Sequence, residues 1–230
     1  MSEVVTTAIE GVVAVITVDD GKANAISLEV ADGLAEALTA AAGNDAVRAV
    51  VLAGREGRFS AGFHLPTMQS DRMMELLGKG GHIAFQMFAY PKPLVLAVTG
   101  HALAMGAVML MAADEQIGAR GDFKIGLNEV RIGLALPPFA SRLARYRLDP
   151  RHMNSATQLA EIYSPDRAVE VGFLTRVVDL DQVVKEATAR AAELAEVLDP
   201  GAFLASREFI RGPISAELGE MVGAANPSER

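Results

Sequence analysis

Cysteine is absent from the 230-residue chain, which removes disulfides, thiolate catalysis and cysteine-based metal sites together. Basic residues are in deficit: 21 lysines and arginines stand against 29 aspartates and glutamates, a formal net charge of −8. With no basic stripe carrying interleaved aromatics, the composition argues against a nucleic-acid binder. His64, His82, His101 and His152 are scattered, without HExxH or comparable ligand spacing, so no metal is expected. The opening MSEVVTTAIEG lacks the basic n-region and apolar core of a signal peptide, and a cytoplasmic protein is expected. Pro93 to Ala113 is the most apolar stretch, but Gly100 and His101 divide it into a strand, a turn and a core helix, each too short for a bilayer.

Half of the residues are apolar, enough for a sizeable core in one domain, or one domain with a small appendage. Val4–Ile9 and Val12–Val18 flank Glu10-Gly11 and predict a hairpin. Ser27 is placed to cap a helix whose apolar positions Val30, Leu34, Leu38 and Ala41 recur at helical spacing, stopped by Gly43-Asn44. Ala49–Ala53 reads as a buried strand and Gly54–Gly62 as a loop. A helical tract follows over Asp71–Phe88, with a break expected at Gly78, Gly80 and Gly81. Beyond Leu94–Val98 and Met105–Ala113, helices are expected at Pro138–Tyr146, Arg151–Glu161, Ala168–Phe173 and Asp181–Leu198, with a short strand at Arg176–Val178. The tail AANPSER is expected to fray. Strand–helix alternation followed by helices predicts an α/β fold of stacked ββα units, with a core over residues 1–190 and a helical segment over 191–230.

The candidate chemistry lies where two apolar strands end. Ala49–Ala53 empties into GREGRFSAGFHL, where small residues at 60–62 let a ligand approach the main chain. Leu94–Val98 empties into GHALAMG, ahead of a helix whose first N–H groups have no helical acceptor. Each exit offers a backbone donor, and Glu129 is a lone carboxylate framed by Val130, Ile132, Leu134 and Leu136. His64 reads as a solvent-accessible loop histidine and His101 as a hydrogen-bonded one. Arg142, Arg145, Arg147 and Arg151 read as a solvated, salt-bridged helix face. Most methionines read as core, with Met73 and Met74 as pocket lining.

Three segments, LAGREGRFSAGFHL, KPLVLAVTGHALAMGAVMLMAADEQIGA and KIGLNEVRIGLALP, together with an early KANAI, resemble the crotonase superfamily of acyl-CoA hydratases and isomerases. The likeness runs over nearly the whole chain. It implies a spiral of ββα units with a C-terminal helical trimerisation region, assembled as a homotrimer or hexamer. It also implies an oxyanion hole formed by the N–H groups of Phe63 and Met105, with Gly106 beside it, and Glu129 as acid/base. Lys22, Ala23 and Ala25 of KANAI, with Ser60, Ala61 and Gly62, would contact coenzyme A, which enters as part of the thioester substrate, not as a separate cofactor. His64 stands where the family usually has aspartate, Met105 where it has glycine, and Val108 where it carries a second carboxylate; His64 and Val108 would line the substrate site.

Two donors at a thioester oxygen stabilise an enolate more than the ground state, and a carboxylate in an apolar frame is a stronger base. Hydration needs a water held by two acceptors; with Val108 in place of one, the resemblance implies double-bond isomerisation ahead of hydration. A non-catalytic acyl-CoA binding protein and another crotonase reaction, such as thioester hydrolysis or decarboxylation, remain as alternative readings.

Overall fold

The computed structural model describes residues 4–224, so all of the tail expected to fray except Ala224 lies outside the described residues. In chain order the elements are β1 (Val5–Glu10), β2 (Val13–Val18), β3 (Ala25–Ile26), α1 (Leu28–Gly43), β4 (Ala49–Ala53), β5 (Gly57–Ser60) and β6 (Gly62–Phe63). Then come α2 (Leu65–Met68), α3 (Met73–Phe88), β7 (Leu94–Val98), β8 (Gly100–Leu103), α4 (Met105–Ala112), β9 (Glu115–Ala119) and β10 (Ile125–Gly126). The chain continues through α5 (Pro138–Arg147), α6 (Met153–Thr157), α7 (Pro165–Val171), β11 (Arg176–Val178), α8 (Val183–Val197) and α9 (Pro200–Ala224).

From β4 onward, consecutive strands go to different sheets. β4, β7 and β9 are neighbours in a sheet ordered β1-β2-β4-β7-β9-β11, whereas β5, β8 and β10 form a second sheet ordered β10-β8-β5. A helix follows each such pair, so the expected ββα repeat is realised as a strand in each sheet and a return helix. In the first sheet, among the described residues, the β1–β2 hairpin is antiparallel, and β2–β4, β4–β7, β7–β9 and β9–β11 are parallel.

The apolar runs follow from two-sided burial. Val50, Leu52, Leu94, Leu96 and Val98 face the helical layer of α1, α3 and α4. The alternate residues Val51, Ala53, Val95 and Ala97 face Val183, Ala187, Ala191 and Ala195 of α8. Alanine at four-residue spacing lets α8 lie close on the sheet. α4 is buried on every side, which explains why its sequence lacks a polar face.

Several expectations are corrected. The segment predicted as a loop at Gly54–Gly62 contains β5, and the expected turn at Thr99-Gly100-His101 is the start of β8, parallel to β5 from Gly57↔Gly100. The predicted break in α3 does not occur: the helix runs unbroken because its glycines serve close packing. A Cβ on Gly81 would stand 2.9 Å from Val222 Cγ1 of α9. The tract at Arg151–Glu161 is helical only to Thr157. Arg147 turns inward to the Gln116 side chain and the Gly172 carbonyl, unlike Arg142 and Arg151, which pair with Glu217 and Asp149.

α9 is held down by Asp114. Its carboxylate accepts from Arg207 at 2.7 Å, from Arg211 at 2.9 Å and from the Leu94 N–H at 2.9 Å. Removing it would strand two buried guanidinium groups. Asp114→Ala is expected to lower stability by about 3–5 kcal/mol in urea titration, while breaking the exposed Arg151–Asp149 pair with Arg151→Ala leaves the urea midpoint almost unchanged.

Candidate active site

The KANAI segment is locked in place by Asn24, which is fully buried and takes a positive φ of 50° that asparagine tolerates. Its Nδ2 donates to the carbonyls of Val18 (2.7 Å) and Arg58 (3.0 Å), and its Oδ1 accepts from the Asp20 N–H (3.0 Å). Sequence reasoning passed over this residue. The available signal was a lone amide between two alanines in a tight turn. β3 and β6 then run side by side, with Ala25 opposite Gly62 and Ile26 opposite Phe63. The Ala61 N–H donates to Ala23 (3.1 Å) and the His64 N–H to Ile26 (3.0 Å).

Both of these donors point to the KANAI side, and the other edge of β6 has no strand neighbour among the described residues. On that side the chain enters α4. Gly62 has φ +91°, and a Cβ there would sit 2.7 Å from Ala104 Cβ and 3.3 Å from the Met105 nitrogen. α4 begins without a side-chain cap, so the Met105 N–H is one of the unsatisfied donors at the positive end of the helix. Methionine in the AMG triplet is tolerated because it is already helical. The unusual backbone falls one residue earlier, on Ala104, with φ 48° and ψ −120°.

Gly106 sets how near the two loops lie: its Cβ would be 2.6 Å from the Ser60 carbonyl oxygen. Ser60 is buried, and its Oγ accepts from the Gly62 N–H at 3.2 Å. Ser60, Gly62, Phe63, Met105 and Gly106 are therefore one cluster. Ala23 and Ala25 border it through β3, and the exposed Lys22 and Ala61 stand at its rim. Val108, one turn into α4, is buried in the apolar core.

Glu129 is 8 % exposed, and its Oε2 has no hydrogen-bond partner among the described residues. Burial pushes its carboxyl above the ordinary glutamate value. The expected frame is corrected: Val130, Ile132 and Leu134 are exposed, because the 3-10 turn after Glu129 directs them outward. The burial comes from the tertiary fold around the carboxylate. Three residues before it, Gly126 accepts from the Ala104 N–H at 3.1 Å, which ties the glutamate's segment to the entry of α4.

The histidines hold structure. His64 precedes α2 and its Nδ1 bonds to Thr67 Oγ1 at 2.9 Å. His101 Nδ1 accepts from the Lys124 N–H at 2.9 Å, and burial lowers its proton affinity. Met87, Met105, Met109 and Met111 are core; Met73 is half-buried and Met74 exposed at the start of α3. A separate cleft of about 280 Å³, lined by Val47, Arg48, Lys92, Leu194 and Phe203, includes none of these cluster residues. No helix among the described residues is long and apolar enough to cross a membrane.

The model of a family described as enoyl-CoA hydratase/isomerase matches residues 8–207. A probable enoyl-CoA hydratase of Bacillus subtilis is 31% identical over 199 residues, covering 82% of this chain and 75% of its own. A solved enoyl-CoA hydratase/isomerase family protein from Pseudomonas syringae superimposes with a TM-score of 0.91 at 33% identity, covering 96% of both chains. An enoyl-CoA isomerase of Mycobacterium tuberculosis does so with a TM-score of 0.92 at 32% identity over 98% of both.

Two variants check this geometry. Gly106→Ala is expected to force α4 away from Ser60 and to lower stability by about 1–3 kcal/mol in urea titration. Glu129→Gln is expected to raise the melting temperature at pH 8. With its carboxyl raised, the folded wild type holds a proton that the unfolded chain releases near 4.5, so wild-type stability falls as pH climbs through the raised value. The difference between variant and wild type should accordingly shrink as pH falls toward 4.5.

Proposed function

The chain belongs to the enoyl-CoA hydratase/isomerase family, a family of enzymes, and from that premise we propose that it shifts the double bond of an enoyl-CoA thioester through an enolate. The observation that carries this reading is the meeting of two loops at Gly62, where a Cβ would sit 3.3 Å from the Met105 nitrogen; in this reading the Phe63 N–H points to the same oxygen. The two amides donate to the thioester oxygen, where negative charge grows as the α-proton leaves. Each is worth about 10²–10³ in rate for an oxyanion donor of this kind.

Glu129 is the base. Its unpartnered, buried oxygen suits proton transfer, and desolvation raises its basicity. It takes a proton from C2 of a 3-enoyl thioester; the electron pair spreads over C4 and the oxygen; the same carboxyl, its proton exchanging with solvent, delivers a proton at C4, leaving the double bond at C2–C3. Hydration would need a second acceptor to hold water, and the buried, apolar Val108 supplies none. That substitution also favours one second reading, a protein that binds acyl-CoA without chemistry.

Ser60, Ala61 and Gly62, with Lys22, Ala23 and Ala25, receive the coenzyme A portion of the substrate, and His64 positions α2 beside it. The assembly is a cytoplasmic homotrimer or hexamer, with residues 191–230 as the trimerisation segment of a 1–190 core. In support, α9 exposes Leu204, Phe209 and Ile210.

Incubating the protein with a 3-enoyl-CoA in D₂O should yield the 2-enoyl product with deuterium incorporated, read by mass. Glu129→Gln should slow both by about 10²–10⁴ while acyl-CoA binding persists. In wild type the exchange rate should rise with pH as the carboxylate ionises. Exchange that survives Glu129→Gln would remove the carboxylate from its role, and binding without any exchange would establish the second reading.

A further inference from the structure

α3 presents one apolar face toward the site, with Leu76 and Ile83 fully buried one turn to either side of Gly80. At Gly80 that face is dented, and the dent is filled. A Cβ on Gly80 would lie 2.3 Å from Cζ and 2.4 Å from Cε1 of Phe63, and 3.5 Å from Met105 Sδ. The edge of the Phe63 ring therefore rests on the main chain of α3, with the methionine sulfur beside it. Met105 is 1 % exposed, whereas Phe63 is half-buried.

The same two residues supply the amides of the donor pair. We propose that the Phe63 ring, seated on Gly80 against Met105, is the stop that limits acyl-chain length at this site; the inference rests on the acyl-CoA reading above. An acyl group whose carbonyl is held at the Phe63 and Met105 nitrogens and which extends toward α3 meets this seal within the reach of one phenylalanine side chain. Short acyl groups fit in front of it. Longer ones gain nothing from further methylenes, because the space behind is already occupied by ring and sulfur. Removing the ring opens a slot walled by Leu76, Ile83 and Met105, all apolar and suited to a methylene chain.

The test is calorimetric titration of the full chain with butanoyl-CoA and decanoyl-CoA, saturated thioesters that bind without reacting. Wild type should bind the two with similar affinity. Phe63→Ala should raise the preference for decanoyl-CoA by about fourfold for each methylene admitted, hence tenfold or more. Phe63→Leu, which keeps most of the packing, should move the preference the same way by less, and it carries the test if the alanine variant does not fold. A chain-length preference unchanged in both variants, or a wild type that already favours decanoyl-CoA tenfold, would overturn the proposal while leaving the acyl-CoA reading intact. A wild type that binds neither thioester would overturn that reading and the stop with it.

Discussion

Closeness of main chain to main chain is the constraint on which this molecule depends. At the meeting of β6, α4 and α3 there is no room for a single extra carbon. Gly62 lies against Ala104, Gly106 against the Ser60 carbonyl, and Gly80 against the Phe63 ring. Every one of these contacts would be blocked by a Cβ, and losing any of them would move β6, α4 and α3 apart. Glycine here is chosen for thickness, and at Gly62 also for its positive φ. The rigid supports behind it are the parallel strands β4 and β7, buried on both faces, which end side by side and deliver the two loops.

Two acidic residues show how surroundings decide what a carboxylate does. Asp114 sits among Arg207, Arg211 and the Leu94 N–H, so its charge is matched and it serves as a clamp between α9 and the sheet. Glu129 is buried with one oxygen unmatched. An unpaired buried charge destabilises the folded chain, and the same desolvation makes the group a better proton acceptor. Stability and reactivity pull in opposite directions at this position. Asn24 belongs with the clamps: it ties the KANAI turn to Val18 and Arg58.

Much of the fold was legible because burial on two faces writes a plain pattern. AVVLA and LVLAV read as central strands, and the all-apolar run from Met105 reads as an enclosed helix. Helix ends were legible where local chemistry marks them, as with Ser27 accepting from the Val30 N–H and Gly172 taking the left-handed conformation after α7. Where glycine acts through packing, the local pattern misled. Gly80 and Gly81 read as a break within α3, yet they admit Phe63 from one side and Val222 from another. β5 and β8 were hidden for a related reason: each is short and glycine-containing, and becomes a strand only by pairing with the other.

By itself, the order of residues determined the alternation of strands and helices, the two glycine-rich exits, the single carboxylate beyond them and the family to which these belong. Those properties are local, set by periodicity, turn chemistry and motif spacing over short stretches. Tertiary structure alone decided that Met105 is helical while Ala104 carries the unusual backbone, that Glu129 is buried although the apolar residues after it are exposed, and that Arg147 turns inward. Each of these depends on groups distant in the chain, and burial and desolvation are properties of everything that surrounds a residue in space.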